Sequence, residues 1–487
     1  MSERLSIAAI TVQAHGLNPN TTAVVYDGAF TKPDEVYPTP DGDAYLSVAG
    51  LVASQEDGIT ITAQTPPGYL EHMREIEVLP ASTKVIQRPI TITEPGKVGY
   101  PASDPLALLV REGYRFDRDG SGKPRYVSIF ESPRVREQAR AAGLELLGRP
   151  DSTLTNNKAN LRMNAPRYGI DMLPGEVIAT WEDLERFINM YEGQKAWTKV
   201  SIGSGGDLVR PIRELSAQAA RKATAEMRSA VSQAFQKGEF SMNLEEFWPE
   251  GTAAPIRFPS VIEIDANLEG EILANGSNAF TTKEDGTVDY LGTFQQITSS
   301  DGEFMGSRLY KPSGEILDAI LDQTKRVANY NMQENRYFGV QGMDFFVMRD
   351  HQGRIRIRPI EINSRPPVSS YPEILMRNLR ASEEGYESPE ATWDNINLVS
   401  ERPMDSDTKI VDLLGNDLAF GHRGHGGLVL RQAIPIAVRA LVYINGHGEP
   451  SRVVPSDRIK MFVFGADPEQ KSIAFNELAA RGIIYKG

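Results

Sequence analysis

Gly342-Met343-Asp344-Phe345-Phe346 and Glu361-Ile362-Asn363-Ser364-Arg365, with Glu361 seventeen positions after Asp344, are the stretches on which the reading of this chain turns. Val340 to Met348 and Arg354 to Asn363 read as the arms of a β-hairpin closed by Asp350-His351-Gln352-Gly353, because a turn-forming cluster separates two strand-like runs. With Arg349 opposite Arg354, Asp344 stands across from Pro359 and Glu361 is its diagonal neighbour, so the acids share a face. Glu361 and Asn363 are two apart on one strand and project to that face as well. Two carboxylates and an amide oxygen make a hard, all-oxygen donor set, suited to magnesium held against substrate phosphates and unsuited to zinc. An edge hairpin with solvated acids is the plainer alternative, and the pattern alone leaves both open. Pro359 cannot donate to the ladder, and a bulge there would flip the facing.

Outward from this hairpin, a helix is expected over Glu315 to Tyr330 and an earlier hairpin turned at Glu284-Asp285-Gly286. Val261 to Ile264 reads as an apolar strand. The longest helix is expected from about Pro211 to Lys237, with Leu215, Ala219, Ala223, Met227, Ala230 and Ala234 at near-fourfold spacing and Gly238 as its stop. Before it, Trp197 to Ile202 reads as a strand, and Thr180 caps a helix with Asp183 placed for a capping box. Tyr126 to Phe130, followed by a helix from Ser132-Pro133 to Gly143, forms a strand–helix unit typical of α/β architecture. Residues 1–125 read as short strands and turns, among them Thr22 to Tyr26, Ile59 to Ala63 and Ile90 to Ile92. Residues 381–408, acidic with scattered Pro and Ser, read as a linker or surface excursion, Gly427 to Ile444 as strand-rich, and Ile473 to Arg481 as a last helix.

Three further features bear on chemistry. A lysine at a strand end beside a glycine turn, as Lys199 is, can set one point charge on phosphate oxygens, although a single strand lysine is more often a solvated surface group. In Ser201-Ile202-Gly203-Ser204-Gly205-Gly206-Asp207 the absent side chains let backbone amides approach phosphate, but such loops are also ordinary turns, and the chain has no Gly-x-x-x-x-Gly-Lys-Ser/Thr P-loop. His422-Arg423-Gly424-His425 is either a loop near a substrate pocket or a plain turn, and it lacks the third nearby ligand of a usual zinc site.

Asp344 with Glu361-x-Asn363-x-Arg365 resembles the metal-binding end of ATP-grasp carboxylate–amine ligases, over roughly residues 126–375. The resemblance implies an α/β (α+β) ATP-grasp fold. An N-terminal pre-ATP-grasp-like domain would span 1–150, a first lobe 151–262, a second lobe 263–380, and a C-terminal linker and extension 381–487, the last a candidate substrate-binding domain. It implies ATP with two magnesium ions (Mg2+; Mn2+ as a substitute) on Asp344, Glu361 and Asn363, and Arg365 as the donor to phosphate or to a developing oxyanion. Lys158 and Lys199 then resemble the two nucleotide-binding lysines, with Lys199 also catalytic, and Gly203, Ser204, Gly205 and Gly206 resemble the mobile loop over the triphosphate. Glu263 resembles the residue near the adenine amino group, Ile264 and Asp265 would add backbone contacts, and Glu271 would receive the ribose hydroxyls. Some dipeptide-forming relatives carry an arginine two positions before the first metal acid, where this chain has Gly342. The Glu-x-Asn-x-Arg form is closer to peptide and amino-acid ligases of microbial secondary metabolism. A small-molecule kinase of the same fold, or a nucleotide-binding protein without turnover, is the alternative.

Bulk properties agree with such a protein. The 487 residues exceed the roughly 100–200 of one domain. A net charge of −13 opposes nucleic-acid binding, which needs a basic footprint, yet a few local cations can still hold a nucleotide. With no cysteine, disulfides, thiolate zinc and thiol nucleophiles are excluded. The N-terminus does not read as a signal peptide and no stretch is long and apolar enough to span a membrane, so a soluble, cytoplasmic protein is expected, acting on small-molecule or peptide acids and amines and with a homodimer as the default assembly.

Overall fold

The computed structural model describes residues 5–27, 56–63, 69–75, 79–88, 91–94, 97–99, 109, 124–128, 139–147, 156–201, 209–236, 260–298, 304–382, 389–404, 428–430, 456–465 and 467–485. The first of these build a parallel sheet. Helix α1 (Ile7–Ala14) leads to β1 (Val24–Asp27), β2 (Ile59–Ala63), α2 (Tyr69–Glu75), β3 (Lys84–Arg88), a small hairpin of β4 (Thr91–Glu94) and β5 (Lys97–Gly99), then β6 (Arg125–Ser128) and β7 (Glu145–Leu146). The order β3-β2-β1-β6-β7 is parallel throughout, and all four residues of β1 are buried, as expected of a strand covered on both faces. The expectation of strands and turns alone over 1–125 omitted α1. Ser6 caps that helix, its Oγ accepting from Ala9 N at 3.0 Å, and Ile7, Ala8 and Val12 are buried.

A second unit follows: α3 (Lys158–Tyr168), β8 (Gly175–Ile178), α4 (Trp181–Tyr191), β9 (Ala196–Val200), β10 (Val209–Ile212), α5 (Ala217–Gln236) and β11 (Ser260–Ile264), with sheet order β10-β9-β11-β8. The capping box forms as read: Thr180 Oγ1 accepts from Asp183 N at 3.2 Å, and Asp183 Oδ2 accepts from Thr180 N at 2.8 Å. The helix expected from Pro211 starts later, because Val209 to Ile212 pair with β9 as an edge strand, where a proline costs no interior ladder bond. It is also not the longest among the described residues, at 20 residues against 22 for α6.

The third part is a nine-stranded sheet, antiparallel throughout. Its elements are β12 (Gly270–Thr282), β13 (Val288–Thr298), β14 (Phe304–Tyr310), α6 (Gly314–Asn335), β15 (Gly339–Asp350), β16 (Ile355–Asn363), α7 (Ser370–Ser382), β17 (Thr392–Met404), β18 (Leu428–Leu430), β19 (Ser456–Gly465), α8 (Pro468–Ala480) and β20 (Ile483–Tyr485). Part of the stretch read as a linker is therefore strand: β17 pairs with β14, β19 and β20, and its Trp393 is fully buried against Phe294. One face of β12, β15 and β16 packs Phe280, Met343, Phe345, Val347, Ile357 and Ile362 against Ile320, Val327 and Tyr330 of α6. A separate core joins Ile7, Val12, Val24 and Tyr26 to Phe294, Tyr371 and Trp393, tying the parallel sheet to the large one. Among the described residues no helix is long and apolar enough to cross a membrane. Removing the α4 cap by Thr180→Ala should cost about 1 kcal/mol, seen as a lower urea midpoint for the second unit's unfolding.

Candidate active site

The register of the decisive hairpin differs from the simplest reading at two points that compensate each other. Arg349 faces Ile355, not Arg354, and Phe345 faces Pro359, which alone would turn Glu361 to the far side. The ladder then shifts between Phe345 and Asp344, with Ile360 the extra residue of a bulge beside Pro359. Asp344 consequently stands directly opposite Glu361, and Gly342 opposite Asn363. The three proposed donors share the face turned away from α6, and Asn363 Nδ2 donates to Asp344 Oδ2 at 3.2 Å.

Burial and the neighbouring Glu361 carboxylate push the Asp344 carboxyl up to about 6, against a hydrogen bond from Ser277, the Arg365 charge and the Asn363 amide. Ser277 lies opposite Asp344 on β12. Gly342 has no room for a side chain, since a Cβ would lie 2.8 Å from the Asn278 carbonyl oxygen and 2.9 Å from Pro367 Cγ. An arginine at that position is sterically barred, and Arg365 is the arginine whose charge reaches both Asp344 and Tyr371.

The unit from α3 to β11 supplies one cation to this face. Lys158 Nζ lies 3.0 Å from Glu361 Oε1, with side-chain exposures of 8% and 24%. Its backbone is anchored on both sides: Lys158 N donates to Ser201 O at 2.8 Å, Asn157 Oδ1 caps α3, and Asn156 Oδ1 accepts from Ser364 N at 2.8 Å. Lys199 pairs with Glu263, whose other oxygen accepts from Arg162 Nη2 at 2.9 Å. Burial raises the Glu263 carboxyl, but Lys199 and Arg162 outweigh it and hold it below the usual range. Sequence reasoning missed Arg162, although its place four residues after Lys158 on α3 puts both cations on one helix face. It also missed Asn156 and Ser277, whose contributions are hydrogen bonds that no spacing announces.

The nucleotide-end expectations divide. Ile264 N and Asp265 N already donate to Pro174 O at 3.0 Å and Lys195 O at 2.8 Å. Burial raises the Asp265 carboxyl, but Lys195, Trp197 and Asn267 outweigh it and lower it to about 2. Glu271 is not brought to the group. It is exposed and paired with Arg349 at 2.9 Å, and it lies six residues along β12 from Ser277, about 20 Å at the usual strand rise. Gly203, Ser204, Gly205 and Gly206, between β9 and β10, and His422 and His425 lie outside the described residues.

Whether a divalent cation fits is decided by the donors. Among the described residues no three His, Asp or Glu side chains gather as a metal site, so the set is two carboxylates completed by amide oxygen. Two acids forced opposite one another on adjacent strands repel and call for a cation between them. On the same face Asn275 Oδ1 is buried without a hydrogen-bond partner, a further hard oxygen. The residues fit magnesium.

Because its folded carboxyl titrates near 6 and its unfolded one near 4, Asp344 loses stability for the fold as pH rises through that interval. In metal-free buffer at pH 7.5, Asp344→Asn should therefore stabilise the protein by up to about 3 kcal/mol. The difference between the two proteins should vanish below about pH 4, as followed by denaturant titration across pH.

No family model matches this sequence, and no curated protein does. Solved structures do match in shape. The biotin carboxylase domain of Hydrogenobacter thermophilus 2-oxoglutarate carboxylase, a dimer solved with MgADP, ADP and bicarbonate, has 12% identity and a TM-score of 0.51 over 91% of this chain and 86% of that one. Biotin carboxylase from Campylobacter jejuni, in a β-γ-ATP complex, has 11% identity and a TM-score of 0.53 over 93% and 91%. Rhizobium etli pyruvate carboxylase has 12% identity and a TM-score of 0.51, covering 94% of this chain and 37% of that one. At such identities the likeness is one of fold, and the chain is an α/β protein of the ATP-grasp fold.

Proposed function

We propose that this chain is an ATP- and magnesium-dependent ligase that activates a carboxylate and joins it to an amine. The observation that carries the reading is the direct opposition of Asp344 and Glu361, with Asn363 beside them and Lys158 reaching over from the first lobe. Asp344, Glu361 and Asn363 would hold magnesium, or manganese in its place, which when bound neutralises charge on the triphosphate. Lys158 and Lys199 bind and orient phosphate oxygens, and the segment from Gly203 to Gly206 is assigned to the same triphosphate by its resemblance alone. Glu263, with Ile264 and Asp265 after it, borders the adenine. This arrangement aligns a substrate carboxylate with the γ-phosphorus, and the resulting acyl phosphate is attacked by an amine, with ADP and phosphate released. Arg365 stabilises the oxyanion of that second step, a place where a fixed cation is worth most. The chain has no cysteine, and this route requires no covalent enzyme nucleophile.

The finer reading is an amino-acid or peptide ligase. The Glu361-x-Asn363-x-Arg365 form, like that of the peptide ligase of pheganomycin biosynthesis, supports it, while Gly342 departs from the arginine of some dipeptide-forming relatives and leaves the oxyanion to Arg365 or to an arginine from elsewhere. Residues 1–125 and 385–487 would then shape the acid and amine pockets around the lobes 151–262 and 263–380, in a monomer or homodimer.

A panel of amino acids and short peptides, assayed for ADP release and for the mass of the condensed product, should show turnover only when acid and amine are both present. A stable phosphorylated product from a single acceptor would instead identify a kinase. Glu361→Gln should abolish ADP release, by at least about 100-fold, with an unchanged circular dichroism spectrum. Near-normal turnover in that variant would remove the carboxylate from its role.

A further inference from the structure

We propose that Lys158 is the internal counter-ion of the carboxylate face, and that its displacement couples divalent-cation binding to nucleotide binding. The inference rests on the ligase reading for the identity of the two ligands. Its geometry is independent of it.

Lys158 is held so that little but its side chain can move. Its amide is tied to Ser201 O, the residue before it caps α3, and Asn156 before that accepts from the amide of Ser364, the residue after the hairpin strand. The ammonium, 8% exposed, lies 3.0 Å from Glu361 Oε1. The ammonium faces Glu361, and Glu361 in turn stands opposite Asp344, whose own neighbours are Ser277, Asn363 and Arg365. A divalent ion arriving alone would compete with an ammonium already on Glu361, one of the two carboxylates that the ion itself needs. A phosphate arriving alone meets two carboxylates. When both arrive, each exchange is balanced, because the ion takes Glu361 as the phosphate takes Lys158. Each ligand thus removes the repulsion that excludes the other, which is a coupling free energy between two sites.

The other lysine has no such constraint. When Lys199 leaves Glu263, Arg162 still neutralises that buried acid, so its release needs no metal. The coupling is therefore located at Lys158 and not spread over both lysines.

The test uses the full chain and manganese as the probe, with binding read from the electron paramagnetic resonance of free Mn2+ and no turnover required. Wild type should bind Mn2+ weakly alone and at least about tenfold more tightly with ADP present. Lys158→Met, or Lys158→Gln should the first not fold, should bind Mn2+ without nucleotide about tenfold more tightly than wild type, and ADP should add little. Lys158→Arg keeps the charge and should behave as wild type. If neutral variants bind Mn2+ no more tightly than wild type while wild type still shows ADP-enhanced binding, the counter-ion role is overturned and the ligase reading stands. If wild type binds no Mn2+ even with ADP, both fall together.

Discussion

The like-charge opposition of Asp344 and Glu361 across β15 and β16 is the constraint from which the site's other features follow. Two adjacent antiparallel strands place their cross-strand side chains too close for a pair of partly buried anions to coexist without compensation. The compensating contacts converge from several elements: Lys158 from α3, the Asn363 amide from two residues along β16, the Ser277 hydroxyl from β12 and the Arg365 charge from the segment leading to α7. The arrangement is unfavourable for stability in isolation. It makes sense as a seat for a cation.

The same logic governs the second cation centre. Glu263, 4% exposed, would be costly on that strand if Lys199 were its only partner, because the acid would be stranded whenever the lysine moved. Arg162 prevents this, and its own position is fixed by a hydrogen bond from Nη1 to Leu173 O at 2.8 Å and by Gly175, where a Cβ would lie 2.7 Å from Nη1. A glycine in β8 thus makes room for an arginine on α3, which frees a lysine on β9. Three elements of the second unit, all within residues 158–200, serve one charge.

Much of this was legible before any coordinates. The hairpin arms, the Thr180 capping box, β11 and the α6 stripe rest on local rules in which the residues that decide the structure are neighbours in sequence. The bulge at Pro359 was foreseeable as a hazard but not in its effect, because a register depends on the turn and the bulge together and each moves the pairing by one residue. Helix α1 was missed because its eight residues are apolar on nearly every side, which hides helical periodicity, while β17 was missed because an edge-to-edge pairing with β14 and β19 rescues an otherwise polar stretch. The partner of Glu271 was hidden for a similar reason, since Arg349 stands opposite it on β15, 78 residues away in the chain. Sequence spacing works within an element and degrades across each turn.

The parallel sheet adds a constraint that the nucleotide end alone does not contain. Tyr26, near the carboxyl end of β1, meets Tyr371 of α7 hydroxyl to hydroxyl at 3.3 Å, and burial pushes the Tyr371 phenol up to about 12 even though Arg365 pulls it down. Next to Tyr26, the fully buried Asp27 accepts from Tyr126 of β6 at 2.6 Å. Because β1 lies between β2 and β6, the strand order reverses there, and the carboxyl ends of strands at such a reversal are where open α/β sheets receive ligands. Tyr26 and Tyr371 link that end of β1 to α7, and the Arg365 charge reaches Tyr371 as it reaches Asp344. The core that joins Tyr26 to Tyr371 therefore fixes the carboxyl end of β1 relative to the segment that carries Arg365.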